Sequence, residues 1–294
     1  WDSKACKGGS IVVGYLKDGT ALTRHYKGGR LPRSAHADIG RVDIVEAIAQ
    51  SSNPFFSLLA KEHLKSSNDL VNIAKTFGFG QRTKISLPNE TPGYLPKDLS
   101  HNTTGLYSFA IGQHSFVATP LQAACMLSTF ASNGKYFTPS LLKNDPPIIQ
   151  KNISMPKPVK NLIFEGMDKV VTSENGSARF KAIKRLFNTP IFQQDYKDLS
   201  HQFIGKTSTA EIMFNPYILP SSTANMYKHI WFGSISFKNE SNKSFDKMDK
   251  TIWNNPELVV VVYLRYGSGG KEAAPLAVQI IKKYRELEKK YSKK

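Results

Sequence analysis

The order of helical and strand-like segments predicts a mixed α/β protein of the α+β type, in which helices cover an antiparallel sheet. Residues 40–200 are mainly helical in pattern, whereas residues 201–294 contain three strand-like segments and a closing helix. These strands follow one another without intervening helices, which is typical of antiparallel rather than parallel sheets. With 294 residues, of which 40% are hydrophobic, the chain can bury a substantial core.

Three helices are predicted at the start of the helical block, after a glycine-rich and basic region over residues 1–37. An apolar helical face over residues 42–49 runs into Ser51-Ser52-Asn53-Pro54. Because proline disfavours helix in the residue before it, a break is predicted at Asn53. The second helix is predicted over residues 55–63, and the third from the capping signal Asn68-Asp69 to the glycines after residue 77.

The rest of the block is predicted to hold one central and one amphipathic helix. After a turn-rich stretch over residues 81–100, Thr119-Pro120 predicts the start of a helix over residues 121–132 that is apolar on nearly all sides. A proline-rich connector is predicted over residues 138–158, followed by an amphipathic helix over residues 159–171.

Three strands and a long helix are predicted in the last third of the chain. The first strand leads from residue 201 into Gly205–Glu211, and the others cover residues 230–236 and 258–266, with a polar loop over residues 238–255 between them. The closing helix is predicted over residues 273–291.

The formal net charge of +17 indicates attraction to anionic surfaces such as anionic lipid or cell-wall polymers. Nucleic acid is not favoured, because no zinc finger, RNA-binding aromatic pair or recognition helix accompanies the charge. Cys6 and Cys125 have no metal-like spacing with the seven histidines, so both are predicted to be free thiols, and neither a metal nor another cofactor is predicted. A chain that begins at Trp1 is expected to be a piece of a longer product, with any membrane anchor outside it.

The stretch Gly205–Glu211 is the central candidate site. On a strand, Lys206 supplies an ammonium group, and Thr207, Ser208 and Thr209 supply hydroxyls that can meet an anionic ligand. Taken alone, so short a pattern is more often an ordinary strand edge.

Ser51 and Asn53 form a second candidate at the predicted helix break. They can fix a hydroxyl and an amide side by side at the rim of a cleft. Serine and asparagine are also common at helix caps and breaks for purely structural reasons.

A series of motifs, in order along nearly all of the chain, resembles the transpeptidase domain of class B, high-molecular-weight penicillin-binding proteins. Each motif is short and unspecific by itself, but their number and order are specific. They are Ser51-x-Asn53 with Phe55-Phe56; Phe77-Gly78-Phe79-Gly80 with Thr83; Leu87-Pro88-x-Glu90-x-x-Gly93-x-x-Pro96; Ile111-Gly112-Gln113 with Thr119-Pro120-Leu121-Gln122; Ser132-Asn133-Gly134; Gly205-Lys206-Thr207-x-Thr209-Ala210; Trp231-Phe232; and Gly269-Gly270 with Ala273-Ala274-Pro275. The resemblance implies a penicillin-binding/serine β-lactamase-like fold with an all-helical subdomain, in one transpeptidase domain over residues 1–294.

The resemblance also implies a function, partners and a location. A serine attacks the penultimate D-alanine of a peptidoglycan stem peptide, the terminal D-alanine leaves, and an amine of a neighbouring stem accepts the acyl group. The implied partners are stem peptides, lipid-linked precursor strands, β-lactams and other cell-wall synthesis proteins. The implied location is the inner membrane, through an N-terminal anchor, with the catalytic domain on the periplasmic side.

By position, the resemblance assigns roles to the candidate residues. Ser51 relays a proton to or from the leaving or attacking nitrogen, and Asn53 holds the substrate amide and orients the catalytic lysine. Lys206 supplies positive charge beside Ser51. Thr207 and Thr209 meet the terminal carboxylate with their hydroxyls, and the backbone N–H of Thr209 forms half of the oxyanion hole.

One departure from the family pattern concerns the nucleophile, which the family carries in an S-x-x-K motif upstream of S-x-N. The five S-x-x-K matches here all lie after Ser51, and they begin at Ser132, Ser140, Ser154, Ser244 and Ser268. None has the apolar helix that would hold the lysine next to the serine, so each is interpreted as chance. The nucleophile and its lysine are therefore expected before Trp1, and the chain is expected to hold half of an active site and to be inactive alone.

The other departure is Ser208, where the family usually has glycine. Glycine there lets the substrate backbone lie close to the strand, since it has no Cβ. Ser208 is therefore expected to lower β-lactam acylation rates without abolishing them, and an unchanged rate for Ser208→Gly in a complete domain would contradict this.

Two alternatives to the transpeptidase stay open. A β-lactamase, a carboxypeptidase or a β-lactam sensor uses related motifs on the same fold. A non-catalytic scaffold of a cell-wall synthesis complex could carry a degenerate site.

Overall fold

The computed structural model describes residues 12–15, 21–23, 25–32, 34, 39, 41–184, 190–211, 228–238 and 250–291. The chain divides into two compact units. The first unit comprises residues 1–122 and 138–148, and the second unit comprises residues 123–137 and 149–294.

The first unit contains two small antiparallel sheets and a set of short helices. Its strands are β1 (Val12–Tyr15), paired with β2 (Ala21–Thr23), and β3 (His25–Tyr26), paired with β4 (Gly29–Arg30). Its helices are α1 (Ile44–Gln50), α2 (Asn53–His63), α3 (Ser67–Thr76) and α4 (Thr103–Phe109), and α5 (Pro120–Ala131) begins in this unit.

Capping side chains set the helix starts in this unit. Ser66 accepts a hydrogen bond from the Asn68 N–H at 3.2 Å, and the Ser66 N–H donates to the Asp69 carboxylate at 2.9 Å, so α3 begins slightly before the predicted Asn68-Asp69 signal. Helix α4 was not predicted, because a helix of seven residues depends on its cap and on tertiary packing rather than on propensity.

The first unit has an apolar core of side chains from α2, from α4 and from the residue that follows β4. Leu31, Leu58 and Tyr107 are buried together, and the Tyr107 hydroxyl donates to the Tyr26 carbonyl at 2.8 Å. A second cluster of Val42, Ala47 and Phe55 packs α1 against α2. Burial of these apolar side chains stabilises the unit.

The turn-rich stretch after α3 is organised by polar side chains. The fully buried Gln122 donates to the carbonyls of Gln81 and Pro92, at 2.8 Å each, and accepts from the Thr119 N–H at 2.9 Å. The Glu90 carboxylate accepts from both the N–H (2.7 Å) and the hydroxyl (2.6 Å) of Thr83. Several of the motif residues after α3 therefore serve to order this stretch.

Asp98 accepts a hydrogen bond from the residue that caps α4, and its contribution to stability is expected to depend on pH. Its carboxylate accepts from His114 Nε2 at 2.9 Å and from Asn102 Nδ2 at 2.6 Å, and these bonds lower the pKa of Asp98 to about 2. Asn102 in turn caps α4 by accepting from the Gly105 N–H at 2.7 Å. A carboxyl with a lowered pKa stabilises the fold above its unfolded pKa of about 4 and loses that contribution as pH falls toward 2.

We therefore expect the wild-type melting temperature to fall more steeply than that of Asp98→Asn between about pH 4 and pH 2. Thermal unfolding monitored by circular dichroism at several pH values measures the difference. Parallel pH profiles for the two proteins would contradict the assignment.

The second unit is built on a three-stranded antiparallel sheet, which confirms the predicted sheet type. Its strands are β7 (Phe203–Glu211), β8 (Lys228–Phe237) and β9 (Pro256–Leu264), in the order β7-β8-β9. Its helices are α6 (Lys157–Thr172), α7 (Phe180–Lys184), α8 (Pro190–Leu199) and α9 (Ala274–Tyr291). Short 3-10 helices cover Lys250–Asn254 and Gly270–Ala273.

The connector predicted over residues 138–158 contains part of a hairpin. Strand β5 (Lys135–Phe137) pairs antiparallel with β6 (Ile149–Asn152), although neither was predicted. Helices α7 and α8 were also not predicted. The central helix α5 and the amphipathic helix α6 lie within one or two residues of their predicted ends.

Aromatic side chains fill the core of the second unit. Phe164 of α6 packs against Phe237 of β8, with ring centroids 6.1 Å apart, and Phe203 of β7 contacts Phe232 of β8 and Tyr196 of α8. Cys125 is a buried free thiol on α5, as predicted, whereas Cys6 lies outside the described residues. No helix among the described residues has the length and apolar character needed to cross a membrane.

Candidate active-site residues

The S-x-N residues lie at the junction between α1 and α2 in the first unit. Ser51 ends α1 in the left-handed conformation (φ 58°), and its N–H donates to the Ile48 carbonyl at 3.2 Å. Ser52 is extended and fully buried, and its hydroxyl accepts from the Phe55 N–H at 3.4 Å. The break therefore falls at Ser51 and Ser52, slightly before its predicted position.

Asn53 is the first residue of α2 rather than a residue of the break. Its N–H donates to the Ser34 hydroxyl at 2.9 Å, and Pro54 at the next helical position loses no helical hydrogen bond. A positive φ is unfavourable for a serine, so this conformation persists only where the surrounding structure holds the residue in place. The junction thus fixes the directions in which the side chains of Ser51 and Asn53 extend from the backbone.

The candidate strand β7 lies at the edge of the three-stranded sheet. Its register pairs Thr207 with Phe232 and Ser208 with Trp231. Successive side chains of a strand point to opposite faces, so Lys206 and Ser208 share one face, and Thr207 and Thr209 share the other. Ser208 is exposed, whereas Thr207 is buried.

Lys206 is half-buried on β7. This burial lowers the pKa of Lys206 to about 8, because the charged form loses hydration. Its Nζ donates to the Thr207 carbonyl at 2.9 Å. An ammonium that has lost part of its hydration attracts anions more strongly than one in water.

The two threonine hydroxyls are held by neighbouring loops of the second unit. The Thr207 hydroxyl shares a hydrogen bond of 2.7 Å with the Ser177 hydroxyl. The Thr209 hydroxyl accepts from the Gly270 N–H at 2.9 Å. Both contacts join residues far apart in sequence, and sequence reasoning did not identify Ser177 as a site residue.

Gly270 lies directly on the backbone of β7. A Cβ at this position would come within 2.5 Å of the Ser208 carbonyl oxygen and 2.7 Å of the Ser208 nitrogen. Such contacts with backbone atoms cannot be relieved by a side-chain rotation. Gly270, the second glycine of the Gly269-Gly270 motif, therefore packs directly against the β7 backbone at Ser208.

The S-x-x-K serines in the described part of the chain do not lie on helices with their lysines. Ser132 follows α5 and donates to the Ser128 carbonyl at 2.7 Å, and Ser140, Ser154 and Ser268 lie in irregular segments. Ser244 lies outside the described residues. The strand residues belong to the second unit and Ser51 and Asn53 to the first, and their assembly into one site stays a prediction.

An antiparallel sheet with helices around it and a Lys-Thr-x-Thr sequence on its edge strand are together typical of the class of penicillin-binding proteins and serine β-lactamases. The family model described as the penicillin binding protein transpeptidase domain matches residues 23–282. The chain belongs to this family.

A curated relative agrees with this membership, and solved structures share the fold. The chain is 28% identical over 268 residues to the peptidoglycan D,D-transpeptidase MrdA of Haemophilus influenzae, a match that covers 83% of this chain and 36% of that protein. The structure of penicillin-binding protein PBP2 from Helicobacter pylori shares the fold, with a TM-score of 0.64 and 23% identity over 87% of this chain and 42% of that one. A complex of PBP2 and MreC from the same organism gives a TM-score of 0.62 and 22% identity, with coverage of 87% and 42%.

The chain thus spans about a third of the length of the curated relative from Haemophilus influenzae. The family and fold are established over the matched residues.

Proposed function

We propose that the protein is a serine D,D-transpeptidase that cross-links peptidoglycan stem peptides and is acylated by β-lactams. The observation that carries the proposal is the half-buried Lys206 on an edge strand that also bears Thr207 and Thr209, in a chain of the transpeptidase family. A D-alanyl-D-alanine terminus and a β-lactam both present a carboxylate next to the bond that is attacked. A cation and hydroxyls on one strand suit that carboxylate.

The edge position of β7 supports the same substrate class. Among the described strands, β7 pairs with β8 alone, so its other edge carries main-chain N–H and C=O groups that an extended peptide can pair with. In this proposal the stem peptide lies along β7, with its carboxylate near Thr207 and Thr209, whose side chains share one face of the strand. Lys206, on the other face, adds positive charge to the site. The Thr209 N–H stabilises the developing oxyanion.

Ser51 and Asn53 complete the proposed chemistry. The serine nucleophile gives up its proton and attacks the carbonyl carbon of the penultimate D-alanine. An acyl-ester bond forms as the C–N bond breaks, and Ser51 passes the proton on to the departing amine. In the second half of the reaction, the amine of a neighbouring stem attacks this ester, a new C–N bond forms as the C–O bond breaks, and the amine proton returns by way of Ser51 to the serine nucleophile. Asn53 holds the substrate amide and orients the lysine of the nucleophile.

The proposed setting is the outer side of the cytoplasmic membrane, with other cell-wall synthesis proteins as partners. The PBP2 of Helicobacter pylori forms a complex with MreC, which supports a partner of this kind. Stem peptides and lipid-linked precursor strands are the proposed substrates.

The experiment that tests the function is intact mass spectrometry of the full-length protein after incubation with benzylpenicillin. We expect a covalent adduct of one penicillin, lost when the protein is denatured beforehand. The 294-residue chain, treated in parallel, is expected to show none. A folded full-length protein without an adduct would overturn the proposal and favour the scaffold.

A further inference from the structure

Ser177 contacts the candidate strand although it lies 30 residues before Thr207. It belongs to the segment that follows α6 and precedes α7. The 2.7 Å distance between its hydroxyl and that of Thr207 is that of a good O–H···O hydrogen bond. Thr207 is buried and Ser177 is half-buried, so the bond is partly shielded from water.

The segment around Ser177 is held firmly to its neighbours. A Cβ on Gly176 would lie 2.3 Å from the Lys169 carbonyl oxygen, so the chain passes directly over the end of α6. The Ala178 N–H donates to the Val170 carbonyl at 2.9 Å, and the buried Tyr196 hydroxyl donates to the Ala178 carbonyl at 2.6 Å. Ser177 is therefore a fixed hydroxyl, presented to β7 by α6 and α8.

The direction of the Ser177–Thr207 bond matters because each hydroxyl has one proton. If Thr207 donates to Ser177, its proton is not available to a ligand. If Ser177 donates, Thr207 accepts with a lone pair, and its own proton can be given to a carboxylate. A bound carboxylate accepts only, so it selects the second arrangement.

We propose that Ser177 is a positioning residue for carboxylate recognition, which donates to Thr207 and thereby directs the Thr207 proton to the substrate or β-lactam carboxylate. This inference rests on the proposed function. It makes the segment after α6 part of the substrate-recognition apparatus, through a contact with the strand rather than with the ligand.

The test compares acylation of the full-length protein by benzylpenicillin and by its methyl ester, which lacks the carboxylate. For Ser177→Ala, we expect the second-order rate constant of acylation by benzylpenicillin to fall about tenfold, which corresponds to a weakened hydrogen bond to a charged group. The rate constant for the methyl ester should change less than about twofold, because the ester has no carboxylate. Ser177→Thr retains a hydroxyl and is expected to restore most of the rate with benzylpenicillin.

A matched control lies four residues earlier, where the buried Ser173 hydroxyl has no hydrogen-bond partner among the described residues. Ser173→Ala is expected to leave both rates unchanged. A double variant tests whether Ser177 acts through Thr207, since Ser177→Ala added to Thr207→Val should then cause little further loss.

The outcomes separate this inference from the function on which it rests. A wild-type protein that neither compound acylates would overturn the proposed function. Normal wild-type acylation with an unchanged Ser177→Ala rate, or an equal loss with both compounds, would overturn the role of Ser177. If Ser177→Ala does not fold, Ser177→Thr and Ser177→Cys provide the same comparison, and equal rates for a hydroxyl and a thiol would contradict the inference.

Discussion

Replacing Lys206 with methionine is expected to reduce acylation of the full-length protein by benzylpenicillin about 100-fold or more, because the half-buried positive charge of the site is lost. The wild-type rate should itself fall as pH rises through about 8, where Lys206 loses its proton. The Lys206→Met protein should lack this fall. Stopped-flow acylation with a chromogenic β-lactam, from pH 6 to pH 10, measures both effects.

The same substitution is expected to stabilise the fold at pH 7. Burial lowers the pKa of Lys206 from its unfolded value, so the charged form costs folding energy below about pH 8, and this cost disappears as pH rises toward the unfolded pKa. Methionine removes the cost, and the gain at pH 7 should be about 1 to 3 kcal/mol and shrink toward pH 10. A substitution that increases stability while it reduces activity is typical of charged residues whose role is functional.

Lys160 provides the control for this prediction. It is also a buried lysine of the second unit with a pKa lowered by burial, and its Nζ donates to the Asn133 side chain at 2.5 Å. It lies outside the candidate strand, so Lys160→Met should leave the acylation rate within about twofold of wild type. An equal loss of acylation in both variants would mean that Lys206 acts through the fold rather than through its charge.

Replacing Arg285 with methionine is expected to lower the free energy of unfolding by about 3 to 5 kcal/mol, because it leaves the buried Glu257 carboxylate without its partner. Arg285 of α9 donates to Glu257 of β9 at 2.8 and 2.9 Å, to the Gln202 side chain at 2.6 Å and to the Phe237 carbonyl at 2.9 Å. The exposed fractions of the Arg285 and Glu257 side chains are 20% and 6%. This guanidinium therefore joins the closing helix to the ends of the sheet.

Urea unfolding of the wild type and the Arg285 variant measures the change. Lys283 on the same helix pairs with Glu286 at 3.1 Å, but their side chains are 67% and 51% exposed. Lys283→Met should therefore change stability by no more than about 0.5 kcal/mol. Similar losses of stability for the Arg285 and Lys283 variants would show that the positive charge of α9, rather than the buried hydrogen bonds of Arg285, stabilises the fold.

Much of the second unit could be predicted because its signals are local. The apolar runs of β8 and β9 and the amphipathic pattern of α6 lie within single elements, and periodicity identifies such elements. The pattern did not identify β5, β6 or α8. Their side chains are mostly polar or half-exposed, and pairing or packing with distant segments determines their structure.

For the candidate site too, some features could be predicted from the sequence, whereas others depend on the tertiary structure. The sequence alone determined that Lys206, Thr207, Ser208 and Thr209 follow one another on a strand, since strand alternation acts over a few residues. It also predicted a helix break at Asn53, which is within two residues of the observed break at Ser51 and Ser52. Only the tertiary structure decided which hydroxyl meets which partner. Thr207 lies 30 residues from Ser177, and Thr209 lies 61 residues from Gly270.

The burial that lowers the pKa of Lys206 is likewise a property of the packed structure. Hydration, hydrogen-bond direction and close backbone approach depend on atoms that packing brings together from distant parts of the chain. A residue's type and its neighbours in sequence therefore determine what chemistry it can supply, whereas packing determines whether that chemistry is available.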